Sequence, residues 1–162
     1  MGLFDIFHRE ASPLQKLVKG LQTNDLDLCT EALKDGADPN VTLDQRGFTP
    51  LHFASGKGYA TIAQALIDHG ADVNYQNPVI RGQSHLLLSL IYSHIDVAEI
   101  LLQAGADPNR GWGLTQPETP PCFVKNRAKT RASQAAFRVL DDRMITLLEA
   151  HGGKERPFLP SC

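Results

Sequence analysis

The chain has 162 residues, of which 42% are hydrophobic and 21% are charged, and its formal net charge is −2. This length fits one domain, and the composition is ordinary for a globular protein. The small net charge excludes the strongly basic surface typical of proteins that bind nucleic acid non-specifically. The three cysteines are widely spaced without a C-x-x-C pair. This pattern indicates reduced thiols and therefore predicts a cytoplasmic protein without a disulfide framework.

Residues 1–11 form an apolar leader that lacks a basic start and a small-residue cleavage site, so they do not resemble a secretory signal. We interpret them as a segment that covers the apolar end of the domain. Membrane contact through residues 1–11 is the less favoured alternative. No stretch approaches the roughly 20 apolar residues that a bilayer span requires.

A five-residue phrase occurs three times and divides the chain into repeats. It reads Gly-Ala-Asp-Pro-Asn or Gly-Ala-Asp-Val-Asn and begins at Gly36, Gly70 and Gly105. Thr49-Pro50-Leu51-His52 stands 21 residues before the second copy, and Ser84-His85-Leu86-Leu87 stands 21 residues before the third. A start signal and a stop signal that share a period near 34 residues indicate an array of helical repeats.

These segments resemble the ankyrin-repeat family, whose TPLH opening and GADVN closing they match. The resemblance implies an all-α fold, an α-solenoid of stacked helix-turn-helix repeats with short β-hairpin fingers. We expect a repeat domain over residues 12–153, with repeats at about 12–43, 44–78, 79–113 and 114–153. An insert is expected near 125–136, and a tail over 154–162.

Helix signals recur within each repeat. Ser12-Pro13 starts the first helix, which residues 20–24 end in a turn, and Gly58 separates the two helices of the second repeat. The fourth repeat allows two alignments. Its first helix begins either at Thr119-Pro120, with an insert after it, or near residue 132, after a long loop. Both alignments give a final helix that contains Met144, Ile145, Leu147 and Leu148.

The resemblance implies that a partner is held by the finger tips and by the concave, exposed face of the first helices. Tyr, Trp and Arg dominate interface hot spots, because they bury much area and also form hydrogen bonds. The matching positions that we predict to bind a partner are Arg46, Phe48, Lys57, Arg81, Gln83, Tyr92, Arg110, Trp112 and Glu118. Tyr75 is equally well explained by packing between fingers, and Val79 replaces the Asp that normally braces a finger.

The family also implies a structural role for His52, which hydrogen-bonds backbone between repeats, while His85 stands in place of the family's Pro. No nucleotide-binding, metalloprotease or serine-hydrolase motif occurs. We therefore expect no catalysis, cofactor, metal ion or small-molecule substrate, and no nucleic acid. The basic residues between Lys125 and Arg131 are interpreted as a solvated insert, with contact to an acidic protein patch as the alternative.

The expected partner is another protein, bound by a monomeric chain. One hypothesis is a scaffold or adaptor that joins two proteins. The alternative is a dedicated stoichiometric inhibitor of a partner enzyme, such as a bacterial immunity or antitoxin-like protein.

Overall fold

The computed structural model describes residues 11–75, 77, 79, 84–109 and 135–153, with side chains of the last helix described from Asp142 onward. The leader up to residue 10, the third finger, the insert and the tail lie outside the described residues. Within the described ranges the chain forms seven α-helices and no strand. They are α1 (Pro13–Thr23), α2 (Leu26–Lys34), α3 (Pro50–Lys57), α4 (Ala60–Asp68), α5 (His85–Ile91), α6 (Ile95–Gln103) and α7 (Ala135–Ala150).

The helices pack in two layers. In the first layer α1 contacts α3 and α3 contacts α5, while in the second layer α2, α4, α6 and α7 contact one another in that order. Helices α1, α3 and α5 also pack against the second-layer helix that follows each of them. Fully buried side chains fill the space between the layers, among them Leu17, Leu21, Leu51, Ile62, Leu66, Leu86, Leu101 and Leu148. This arrangement confirms the predicted all-α solenoid.

Each first-layer helix begins at a hydroxyl side chain. Ser12, Thr49 and Ser84 accept hydrogen bonds from the backbone N–H three residues further on, at 3.3, 3.4 and 3.1 Å. Such caps satisfy N–H groups that lack a partner within the helix. The helix starts predicted at Ser12 and Thr49 are confirmed.

Gly20 lies inside α1, so the predicted turn over residues 20–24 is wrong. The helix continues to Thr23, and only Asn24 adopts the left-handed conformation that ends it. A Cβ atom at Gly20 would lie 2.6 Å from Sγ of Cys29 in α2. The glycine therefore permits the close approach of two helices instead of opening a turn.

Three asparagines connect successive repeats, and we call them the asparagine ladder. Each lies at the end of one repeated phrase, and its Nδ2 donates to the carbonyl of a glycine in the next repeat. The pairs are Asn40 with Gly70 at 3.0 Å, Asn74 with Gly105 at 2.9 Å and Asn109 with Gly152 at 3.1 Å. The last pair identifies Gly152 as the counterpart of the earlier phrase glycines.

Helix α7 is one continuous helix of 16 residues. Met144 and Leu148 are fully buried on it, which confirms the predicted final helix. The alignment that starts a separate first helix near residue 132 is wrong for residues 135–140, because these residues belong to α7. Among the described residues, every helix falls short of the length and apolarity needed to cross a membrane.

Candidate partner-binding surface

Asp44 organises the first finger, residues 41–47. Its carboxylate accepts hydrogen bonds from the backbone N–H groups of Arg46 and Phe48, at 3.0 and 3.1 Å, and from Nε of Arg46 at 3.0 Å. Desolvation raises the pKa of the Asp44 carboxyl, but these bonds outweigh it and leave the pKa below its ordinary value. The backbone N–H of Leu43 donates to the carbonyl of Phe48 at 2.7 Å, so one backbone bond closes the finger. The carboxylate takes the N–H of Phe48, which would form the second bond of a hairpin pair, and no strand forms at this finger.

Arg46 lies at the exposed tip of this finger, and Phe48 follows the finger directly. The guanidinium carbon lies 5.0 Å from the centroid of the Phe48 ring, a cation–π arrangement. The ring is half-buried and meets the ring of His52 edge-on at 5.2 Å. The Arg46 side chain, 71% exposed, is thus held by a carboxylate and by an aromatic face while it remains accessible to a partner.

Asn77 braces the first finger from the second, a role that the sequence reasoning missed. Its Nδ2 donates to the carbonyl of Arg46 at 2.7 Å, and its Oδ1 accepts from the backbone N–H of Val79 at 2.8 Å. Gly47 has a φ of 75°, and a Cβ there would lie 2.8 Å from Oδ1 of Asn77. The signal available in the sequence was the Asn-Pro dipeptide at residues 77–78, which is typical of turns.

His52 and His85 join the second and third repeats beneath the fingers. Their ring centroids lie 4.0 Å apart. Oγ1 of Thr49 lies 2.9 Å from Nδ1 of His52 and 3.3 Å from Nε2 of His85, and Nδ1 of His85 donates to the carbonyl of Val73 at 2.9 Å. Both histidines are buried, and Tyr75 packs edge-on against His52 at 5.8 Å. These contacts support the structural explanations of His52 and Tyr75.

A second group of predicted residues lies at the far end of the first-layer helices. Lys57 is the last residue of α3, and its Nζ lies 5.9 Å from the ring centroid of Phe53. Tyr92 caps α5, and its ring stacks near His94 with centroids 6.3 Å apart. A Cβ built at Gly56 would lie 3.9 Å from the Tyr92 ring, so this ring lies beside the last turn of α3.

The turns after α1, α3 and α5 show which residues of these helices are equivalent. The backbone N–H groups of Asp25, Tyr59 and His94 donate to carbonyls five residues earlier, at 2.8, 3.0 and 2.8 Å. These three donors are therefore equivalent, and residues that precede them by the same number of positions occupy equivalent places on α1, α3 and α5. Each such set of equivalent residues forms one row across the three helices. We call the accessible part of the aligned rows the first-helix face: Lys19, Gln22, Thr23, Phe53, Gly56, Lys57, Ile91 and Tyr92.

The predicted binding residues therefore fall into two groups. Arg46 and Phe48 lie before the start of α3, whereas Lys57 and Tyr92 lie at the ends of α3 and α5. An eight-residue helix is about 12 Å long, so Lys57 and Tyr92 lie about one helix length away from the first finger. The other five, which lie outside the described residues, stay predictions: Arg81, Gln83, Arg110, Trp112 and Glu118. Within the described ranges, no cluster of three or more His, Cys, Asp or Glu side chains could hold a metal ion.

Comparison with known proteins identifies the repeat. A family model described as ankyrin repeats (three copies) matches residues 17–111, more than half of the chain. The chain belongs to the ankyrin-repeat family. Ankyrin repeats are general protein–protein interaction modules.

Proteins of quite different kinds share these repeats. Potassium channel AKT2/3 of Arabidopsis thaliana is 32% identical over 95 residues, 57% of this chain and 12% of the relative. Palmitoyltransferase AKR1 of Candida albicans is 29% identical over 94 residues, which are 58% of this chain and 11% of the relative. Human ankyrin repeat and SOCS box protein 3 is 36% identical over 92 residues, which are 56% of this chain and 17% of the relative. The chain spans less than a fifth of each relative's length, so the similarity concerns the repeats alone.

Proposed function

We propose that this ankyrin-repeat chain is a non-catalytic module that binds a partner protein through the first-helix face and the tip of the first finger. The observation that carries the proposal is the exposure of Tyr92, which is 59% accessible. An accessible aromatic side chain on a face that also carries Lys57 and Phe53 has the composition of an interface hot spot. Its ring lies beside Gly56 and His94, yet more than half of the side chain stays open to a partner.

The first finger supports the same proposal. Arg46 is anchored by Asp44 and Phe48 before any partner arrives, so binding would immobilise fewer side-chain rotamers. Preorganisation of this kind strengthens binding, since less conformational entropy is lost on association.

The adaptor and inhibitor hypotheses predict different complexes. A dedicated inhibitor forms a one-to-one complex and abolishes the activity of its partner. An adaptor holds two proteins at separate surfaces and leaves their activities intact. Stoichiometry and partner activity, measured on the purified complex, decide between them.

Replacing Tyr92 by Ala is expected to weaken partner binding by about 1–4 kcal/mol, the range of a hot-spot residue, without lowering the melting temperature. The measurement is affinity capture from the native lysate, read by mass spectrometry, followed by titration of the captured partner. Gln103→Ala is the matched control, because Gln103 is exposed on α6 in the second layer. Trp112→Ala tests the predicted third finger in the same way.

Equal capture by Tyr92→Ala and Gln103→Ala would contradict binding at the first-helix face. A melting temperature lowered in Tyr92→Ala alone would show that the tyrosine stabilises the fold instead.

A further inference from the structure

The helices of the two layers differ in charge. The described first-layer helices α1, α3 and α5 contain no Asp or Glu, and their charged residues are Lys16, Lys19 and Lys57. Every second-layer helix carries acidic residues, among them Asp27, Glu31, Asp68, Asp96, Glu99, Asp142 and Glu149. Acidic charge on the helices is thus confined to one side of the described stack.

Two of the three first-layer lysines are free to meet a partner. Lys16 is not, because its Nζ lies 2.7 Å from Glu31 and 2.8 Å from Asp35. Lys19 and Lys57 are exposed, and neither forms an ion pair within the described part of the chain. The first-helix face therefore carries two uncompensated positive charges.

Two carboxylates that lie close in sequence to the first-layer helices have partners of their own. Asp25 lies just beyond α1, and its Oδ1 caps α2 by accepting the backbone N–H of Leu28 at 3.0 Å. Asp44 is paired with Arg46 in the first finger. Neither belongs to the first-helix face, and neither forms an ion pair with Lys19 or Lys57.

Aromatic and aliphatic surface lies between and beside these charges. Phe53 and Ile91 are half-buried and Tyr92 is exposed, and Lys57 lies over the Phe53 ring. Packed helices are about 8–10 Å apart, so three of them span about 20 Å. An extended chain covers that width with about six residues.

We propose that the first-helix face docks an acidic, extended segment of the partner protein. Carboxylates of the segment pair with Lys19 and Lys57, and an apolar side chain packs on Phe53, Ile91 and Tyr92. This inference rests on the proposed function and names the chemistry of the partner. Complementary charge steers such a segment to this side of the stack and away from the acidic second layer.

The test is selection from a display library of random linear peptides of about twelve residues, twice the length that spans the face. The baits are the wild-type chain, the double variant K19E/K57E and the double variant K34E/R143E. Lys34 and Arg143 are exposed in the second layer, so the second pair changes net charge equally at a different place. Wild type and K34E/R143E are expected to enrich peptides rich in Asp and Glu with an apolar residue, and K19E/K57E is not.

An enriched peptide, measured by fluorescence anisotropy, should bind K19E/K57E about ten-fold more weakly or worse, and rising salt should weaken its binding to the wild type. Neutral or basic peptides from the wild type would overturn the inference. If those peptides still required Tyr92, the proposed function would stand.

Three other results would also overturn it. One is equal binding of the acidic peptide by K19E/K57E, which would place its site elsewhere. Another is that the wild-type chain enriches no peptide above the level found on the blank support. The proposed function would then still be tested by the capture of the partner protein. The third is tighter binding of a labelled single-stranded oligonucleotide than of the peptide, since that would make phosphate the preferred anion.

Discussion

At the scale of single residues, the buried His85, packed against His52, is expected to make stability depend on pH. Burial, followed by the neighbouring His52, lowers the pKa of His85 from 6.5 to about 3. The folded protein therefore holds this ring neutral, with Nδ1 donating to the carbonyl of Val73. A charged ring would be buried beside a second histidine without a carboxylate partner among the described side chains that contact it.

We expect stability to fall as pH is lowered through the ordinary histidine range. Above about pH 6.5 His85 is neutral in both states, but below it the unfolded chain binds a proton that the folded chain excludes. The free energy of unfolding should therefore drop by up to about 1.4 kcal/mol per pH unit for this one group. Urea unfolding from about pH 7.5 to about pH 5 measures the slope.

The matched variants are His85→Gln, which removes the buried group, and His69→Gln, which removes an exposed one. The first should flatten the slope and the second should preserve it. A slope that is unchanged in His85→Gln would show that other groups cause the acid sensitivity.

A second residue-scale prediction concerns Ser55, which is fully buried in α3. Its Oγ has no hydrogen-bond partner within the described part of the chain. Burial of an unpaired hydroxyl destabilises the folded state, and Ala has the higher helix propensity. We expect Ser55→Ala to raise the free energy of unfolding by about 1 kcal/mol, measured by urea denaturation.

Ser89→Ala provides the control for this substitution. Ser89 is equally buried, but its Oγ donates to the carbonyl of Leu86 at 2.7 Å. Its removal should lower stability. The explanation fails if both alanine variants are destabilised to the same extent.

At the scale of elements, most helices follow from chemistry that is local in sequence. Ser12 and Thr49 with their prolines give the starts of α1 and α3, and Gly58 gives the end of α3. The turn predicted at Gly20 was wrong because the reason for a glycine at this position is not local in sequence. The glycine is required by Cys29 of the neighbouring helix, and such a contact is invisible until the pairing of helices is known.

The asparagine ladder should contribute measurably to the stacking of repeats. Asn74 donates to the carbonyl of Gly105 and accepts the backbone N–H of Asp107, both at 2.9 Å. Asn74→Ala leaves these groups without that partner, so we expect a loss of about 1–3 kcal/mol in the free energy of unfolding. Gln103→Ala, at an exposed position, should change it by less than about 0.5 kcal/mol. Similar values for the two variants, by urea denaturation, would refute this role of the ladder.

At the scale of the whole molecule, the fold was predictable from the sequence and the candidate surface only in part. A shared period identifies stacked repeats, because each unit must bury its apolar face against the next. The position of a surface residue depends also on which end of its helix it occupies. Arg46 and Tyr92 were both predicted to bind the partner, but Arg46 precedes the start of α3 whereas Tyr92 follows the end of α5.

Features formed by several repeats were the least predictable. Asn77 of the second finger braces the first finger through the carbonyl of Arg46, a contact between segments 31 residues apart. The first-helix face required the equivalence of Thr23, Lys57 and Tyr92, which the backbone bonds of three turns provide. The residues that this alignment brings onto one face include no Asp or Glu.

The most direct test of partner binding through this face is amide hydrogen exchange of the chain, alone and with the captured partner. Peptides that cover α3, α5 and the first finger should exchange more slowly in the complex, and peptides from α4 and α6 should be unchanged. Protection confined to the second-layer helices would contradict the account, since it would place the partner on the acidic side of the stack.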